Sequence, residues 1–86
     1  MSMQHILTPA ATVRACYETL NWAPELKGMN PLKRNAIILL APRAAGGEVE
    51  ALLNLSRIRD GIIPDNRYHE MLRRMGAFIV PLRVVK

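Results

Sequence analysis

Two prolines that follow a small polar residue, at Thr8-Pro9 and Asn30-Pro31, constrain the fold of this chain most. A threonine or asparagine side chain in that position accepts a hydrogen bond from an N–H of the first helical turn. Proline at the first helical position has no N–H that would be left unpaired. We therefore expect a helix to begin at each dipeptide, which divides the chain into short segments.

Four helices and one strand are predicted from these start signals and from the stops between them. We expect helices over residues 9–20, 31–41, 48–59 and 65–75, and a strand over residues 77–85, "AFIVPLRVV". Pro42 should stop the second helix and Gly61 the third, while Asp65 should cap the fourth. The strand needs a partner, either "QHIL" at residues 4–7 or a second copy of the chain.

One segment of the second helix is ambiguous, the nearly continuous apolar run from Ala36 to Ala41. Periodicity alone does not separate a buried helix from a buried strand in such a run. The cap at Asn30 and the basic pair Lys33 and Arg34 favour a helix. The run is six residues long, and a membrane-spanning helix needs ~20 apolar residues. We expect no membrane span.

Helical spacing predicts which side of each helix faces the core. We expect inward faces formed by Val13, Cys16, Tyr17 and Leu20 in the first helix, Val49, Leu52, Leu53 and Ile58 in the third, and Tyr68, Met71, Leu72 and Met75 in the fourth. Trp22 is expected to hold the connection after the first helix against the core. The polar residues of the fourth helix should then point mostly outward.

Composition predicts one small globular domain over residues 1–86, because half of the residues are apolar and 22% are charged. The single cysteine, Cys16, excludes an intrachain disulfide and is compatible with a reducing compartment. The N-terminal sequence has no basic region of the kind that opens a signal peptide. We expect a cytoplasmic protein.

Positive charge is concentrated toward the C-terminal end of the chain, whose net charge is +5. Seven basic residues and three acidic ones lie between Arg57 and the end. This asymmetry suits a polyanionic partner, either nucleic acid or an acidic protein surface. The alternative is a solvated basic face without a partner.

Catalytic signatures are missing from the sequence, which has no P-loop, GxGxxG, GxSxG or HExxH motif. The nitrogen and sulfur side chains that could bind zinc or act as nucleophile and base, His5, Cys16 and His69, are far apart in sequence. We expect neither a metal nor another cofactor, no catalytic residue, and no enzymatic activity.

The order of helix, turn, helix, turn, helix and strand over residues 30–85 resembles the winged helix-turn-helix superfamily. The segment "NRYHEMLRRMGAFIVPLRV" is similar to its recognition helix followed by its wing. The resemblance implies an α+β, mainly helical fold. It also implies that the major groove of DNA and the adjacent phosphates are contacted by Asn66, Arg67, Glu70, Arg73 and Arg74.

The leading functional hypothesis is a small basic protein that binds double-stranded DNA as a homodimer, as a transcriptional, plasmid or phage regulator. A protein-interaction module is the alternative, such as a phage- or plasmid-type inhibitor or adaptor of a host protein that adds its C-terminal strand to a partner's sheet. An RNA-associated protein would use the same arginines. It would also need exposed aromatic side chains, and the four aromatic residues are all expected to be structural.

Overall fold

The structure, a computed structural model, describes residues 8–75. It contains helices α1 (Pro9–Leu20), α2 (Pro31–Ala45), α3 (Val49–Arg59) and α4 (Tyr68–Arg74), with a 3-10 turn at Asp65–Arg67 before α4. The prediction of a mainly helical chain is confirmed, and no strand occurs within residues 8–75. The strand predicted over residues 77–85 and its pairing with residues 4–7 lie outside the described residues.

Both predicted helix starts are confirmed by side-chain hydrogen bonds. The N–H of Ala11 donates to Thr8 Oγ1 at 3.1 Å. Asn30 Oδ1 accepts from the N–H of Leu32 at 2.8 Å and from that of Lys33 at 3.2 Å. These caps satisfy N–H groups that have no carbonyl partner in the first turn.

Helix α2 continues past Pro42 to Ala45, so the predicted end at residue 41 is wrong. Proline removes one hydrogen bond of a helix and disfavours the helical conformation of the residue before it. Here the neighbours of Pro42 are fixed by packing, because Ala41 is fully buried and Ala44 nearly so. Tertiary packing therefore outweighs the local preference, and the ambiguous run from Ala36 to Ala41 is helical throughout.

Helix α2 lies at the centre of the fold, where it contacts α1, α3 and α4. Its buried residues are Ala36, Ile37, Leu40, Ala41 and Ala44. Three of these five are alanines, whose small side chains let neighbouring helices approach closely. The other helices contribute larger side chains to the same core, including Leu55 of α3 and Leu72 of α4.

The helices α2 and α3 end in the same way, at glycines with a positive φ. Gly47 has φ 97° and Gly61 has φ 71°. After α2 the N–H of Glu48 donates to the carbonyl of Arg43 at 3.0 Å, and after α3 the N–H of Ile62 donates to the carbonyl of Arg57 at 3.3 Å. Each bond closes the last helical turn, and the left-handed conformation that it requires favours glycine. The expected stop of α3 at Gly61 is confirmed.

The start of the fourth helical segment differs from the prediction. A 3-10 turn occupies Asp65–Arg67, so Asp65 is the first residue of the turn and Pro64 takes the cap position. The two N–H groups that its carboxylate would accept from already have backbone partners. The N–H of Arg67 donates to the carbonyl of Pro64 at 2.9 Å, and that of Tyr68 donates to the carbonyl of Asp65. The tighter turn therefore takes the place of the side-chain cap.

The predicted inward faces are partly wrong in α1 and α3. Tyr17 of α1 is exposed, whereas the buried residues of that helix are Thr12, Ala15 and Cys16. In α3, Val49 and Leu53 are exposed and the buried residues are Ala51, Leu55 and Ile58. Apolar residues occur on several sides of both helices, so spacing alone does not show which side packs on α2.

Other packing predictions are confirmed. Tyr68 and Leu72 of α4 are buried, while Met71 and Met75 are partly buried against the core. Trp22 also packs partly buried against the core. Cys16 is fully buried, and this burial raises the pKa of its thiol to about 11. The thiol is therefore protonated and protected at neutral pH.

Candidate binding groove

Helices α3 and α4 border an open groove of about 750 Å³ together with the connection that joins them. Both helices pack on α2, and residues 62–64 link the end of α3 to the turn before α4. Arg43 and Glu48, on either side of the α2–α3 turn, also line the groove. We call this feature the α3–α4 groove.

Apolar side chains line much of the α3–α4 groove. Leu53 is 54% exposed and Ile62 is 63% exposed, and Ile63, Met71 and Met75 lie partly buried along it. Val49, which is 68% exposed, lies one helical turn before Leu53 on the same side of α3. We call Val49, Leu53 and Ile62 the apolar strip. Large apolar side chains that are grouped and exposed are a feature of binding surfaces.

Arg43 and Glu48 form a two-bond ion pair at the groove. Arg43 donates from Nε to Oε1 of Glu48 at 2.9 Å and from Nη2 to Oε2 at 2.8 Å. These hydrogen bonds hold the pKa of Glu48 below its usual value and raise the pKa of Arg43. The charges of the two side chains therefore offset each other, and the pair adds little net potential to the groove.

Three further arginines line the groove in looser contacts. Arg57 donates to Asn54 Oδ1 at 3.3 Å. Arg67 lies 3.8 Å from Oε1 of Glu70, with both side chains more than half exposed. Arg74 forms no ion pair with any described residue. Their guanidinium groups therefore remain largely hydrated and accessible to an anionic partner.

The five residues that the winged-helix resemblance implicates in DNA contact are all exposed, but they do not form one uniform surface. Arg67, Glu70 and Arg74 line the α3–α4 groove, which defines the groove side of α4. Asn66 and Arg73 are exposed and do not line it, which defines the outer side of α4. The structure thus brings three of the five together with apolar residues of α3.

Sequence reasoning missed the apolar half of this site. Helical spacing predicts that Leu53 faces the core, and the sequence suggests exposure of Ile62 without indicating a binding role for it. The sequence contains one signal of this site, because α3 has more apolar residues than one buried side needs. Deciding which side stays exposed requires the position of α3 on α2, because Ala51, Leu55 and Ile58 occupy the buried side.

The groove contains side chains suited to non-covalent binding, namely methionine, leucine and isoleucine beside arginine and glutamate. Within residues 8–75 no three histidine, cysteine or acidic side chains lie together in a way that could hold a metal ion. None of the helices in the same range is long and apolar enough to cross a membrane. Comparisons with protein-family models, curated proteins and solved structures find no match.

Proposed function

We propose that the chain is a small cytoplasmic DNA-binding regulator that contacts duplex DNA through α4 and the turn before it. The observation that carries this proposal is the exposure of Asn66, Arg67, Glu70, Arg73 and Arg74, which all lie on the side of this segment that does not pack on the core. At about 100° per residue the three that belong to α4, Glu70, Arg73 and Arg74, fall within an arc of ~100°. Tyr68 and Leu72 are buried on the opposite side of the segment, so the exposed residues point away from the core.

The chemistry of this face suits a nucleic acid. Arginine pairs with phosphate oxygens and with guanine edges, asparagine pairs with adenine, and glutamate accepts from the amino group of cytosine. Arg73 and Arg74 form no ion pair with a described residue, so DNA contact would not first have to break one. A homodimer would place two such helices on half-sites, which raises affinity and fixes their spacing.

The test is affinity for a duplex across a salt series, comparing the wild type with R67A/R73A/R74A. Each lost phosphate contact lowers the slope of log affinity against log salt by roughly 0.9, so the triple variant should flatten the slope by up to about three times that amount. The matched control is R14A/K27A/R34A, which removes the same charge from exposed residues of other segments. Equal slopes for the two triple variants would refute the proposal.

A protein-interaction module, such as a phage- or plasmid-type inhibitor or adaptor of a host protein, is the second candidate. One observation favours it, the exposure of Leu53 and Ile62 beside the arginines of the α3–α4 groove. Apolar anchors in a concave surface with a charged rim are the arrangement expected at a protein interface. The two candidates share Arg67, Glu70 and Arg74, which line the groove, but only the DNA candidate uses Arg73 and only the protein-interaction candidate uses Leu53 and Ile62.

A further inference from the structure

We infer that the α3–α4 groove binds an apolar segment of another protein whose flanking side chains are acidic. This inference rests on the second candidate function, and it goes beyond that candidate by naming the chemistry of the partner. The residues that carry it are the apolar strip and the arginines on the groove wall. Arg73, on the outer side of α4, has no part in it.

The apolar strip supplies the anchor contacts. Val49 and Leu53 are four residues apart on α3, so their side chains lie one above the other. Ile62 follows the end of α3 and lines the same groove as Leu53. A partner side chain that covers these atoms removes apolar surface from water on both sides of the contact. Met71 and Met75 can adjust to its shape, because the methionine side chain is unbranched and flexible.

Arginines outnumber glutamates along the groove, and this excess of positive charge favours an acidic partner. Four arginines and three glutamates line it. The Arg43–Glu48 ion pair uses one of each, which leaves Arg57, Arg67 and Arg74 against Glu50 and Glu70. Arginine can bind a carboxylate through two parallel hydrogen bonds, and none of the three remaining arginines is held in a close ion pair by a described residue. Glutamate or aspartate beside the apolar anchors of the partner would complete these contacts.

The size and apolar lining of the groove favour a peptide segment over a nucleic acid. A volume of about 750 Å³ accommodates several side chains, and grooves of this kind receive one face of an amphipathic helix. Duplex DNA presents mainly phosphates and polar base edges, and its phosphates gain nothing from contact with Leu53 or Ile62. The outer side of α4 has no comparable apolar residue between Asn66 and Arg73 and offers DNA a better surface.

The first experiment measures whether the groove is open in the chain of residues 1–86. Cys16 is the only cysteine, it is fully buried and its pKa is about 11, so the wild type should react very slowly with a maleimide at neutral pH. A cysteine introduced by L53C should react on the order of 100-fold faster, because its thiol is exposed and has an ordinary pKa. Labelling of L53C as slow as that of Cys16 would mean that the chain covers its own groove, and would overturn the inference.

The second experiment uses a synthetic amphipathic peptide of about 15 residues with leucines at helical spacing and glutamates beside them. It is compared with the same peptide carrying lysine in place of glutamate, and with a DNA duplex. We expect the acidic peptide to bind more tightly than the lysine peptide and to slow the labelling of L53C. The variant L53S/I62S should weaken acidic-peptide binding by about tenfold while leaving the fold intact, because both side chains are exposed.

The outcomes separate this inference from the DNA proposal. Equal affinity for the acidic and lysine peptides, or an unchanged affinity in L53S/I62S, would overturn the docking inference. The DNA proposal is untouched by that result, since duplex binding should depend on Arg73 and not on Leu53. Protection of L53C by the duplex and not by the acidic peptide would instead identify the groove as part of a nucleic-acid surface.

Discussion

The two sides of α3 carry similar residues but have different surroundings. Leu55 is fully buried on α2, whereas Leu53, two positions earlier, is 54% exposed on the α3–α4 groove. Nothing in the chemistry of leucine distinguishes them. The difference lies in their direction, because residues two apart point to nearly opposite sides of a helix. One side of α3 therefore serves stability, and the other is available for binding.

This contrast shows that a buried leucine and an exposed leucine contribute to different processes, the first to folding and the second to binding. The free energy from the hydrophobic effect follows the apolar area removed from water, so Leu55 contributes to folding far more than Leu53 does. An exposed apolar residue contributes this free energy only when a binding partner covers it. The two sides can therefore be separated by measuring stability and binding on the same variants.

Truncation of Leu55 should produce the largest effect. Leu55→Ala removes a fully buried side chain from the core, and such a change typically costs about 2–5 kcal/mol of unfolding free energy. Leu53→Ala is the matched control and should change stability by less than ~1 kcal/mol. Chemical denaturation of both variants measures the difference, and equal losses would remove the contrast between the two sides of α3.

A second large effect is expected at Leu72 of α4, which is buried opposite the arginines. Leu72→Ala should lower the unfolding free energy by about 2–5 kcal/mol. It should also weaken the packing that holds the arginine-bearing face of α4 in place. Its exposed neighbour Arg73 provides the control, because Arg73→Ala should stay within ~0.5 kcal/mol. Wild-type thermal stability of Leu72→Ala would reverse the assignment of the two faces of α4.

The turn that joins α2 to α3 gives an intermediate effect. Gly47 has φ 97°, where an alanine side chain is strained, so Gly47→Ala should cost about 1–2 kcal/mol. Gly46 has φ −83°, and a Cβ there would meet the carbonyl oxygen of Pro42 at 3.4 Å, an ordinary contact. Gly46→Ala should be neutral or slightly stabilising. A thermal melt of each variant tests this pair, and a larger loss in Gly46→Ala would contradict it.

The smallest effect is expected at the Arg43–Glu48 ion pair. The lowered pKa of Glu48 means that its ionised form stabilises the fold above the usual pKa of glutamate, and that this contribution is lost as pH falls through the folded-state pKa. Glu48→Gln should therefore be slightly less stable than the wild type near neutral pH. The gap should close in acid and narrow at high salt. A constant gap at all pH values would show that packing, not charge, sets the difference.

Local signals in the sequence predict where a helix begins and ends better than they predict which side of the helix faces the core. The caps at Thr8 and Asn30 and the stop at Gly61 depend on neighbouring backbone atoms, so a few residues contain the information. Continuation of α2 through Pro42 depends on how tightly Ala41 packs, which no local signal reports. The polar face of α4 was predictable because its apolar and polar residues separate cleanly by spacing. The α3–α4 groove was not, since it exists only once both helices are placed on α2.

The central position of α2 also bears on how the chain folds. Helix α1 precedes α2 along the chain, α3 follows it, and both pack directly on α2. Most of the core therefore joins segments that are near in sequence. Little loop-closure entropy opposes such contacts, and domains of this kind fold within microseconds to milliseconds. Among the helix pairs with extensive contacts, the packing of α4 on α2 spans the longest separation. We therefore expect the transition state to contain α2 with α1 or α3, and α4 to join after the barrier is crossed.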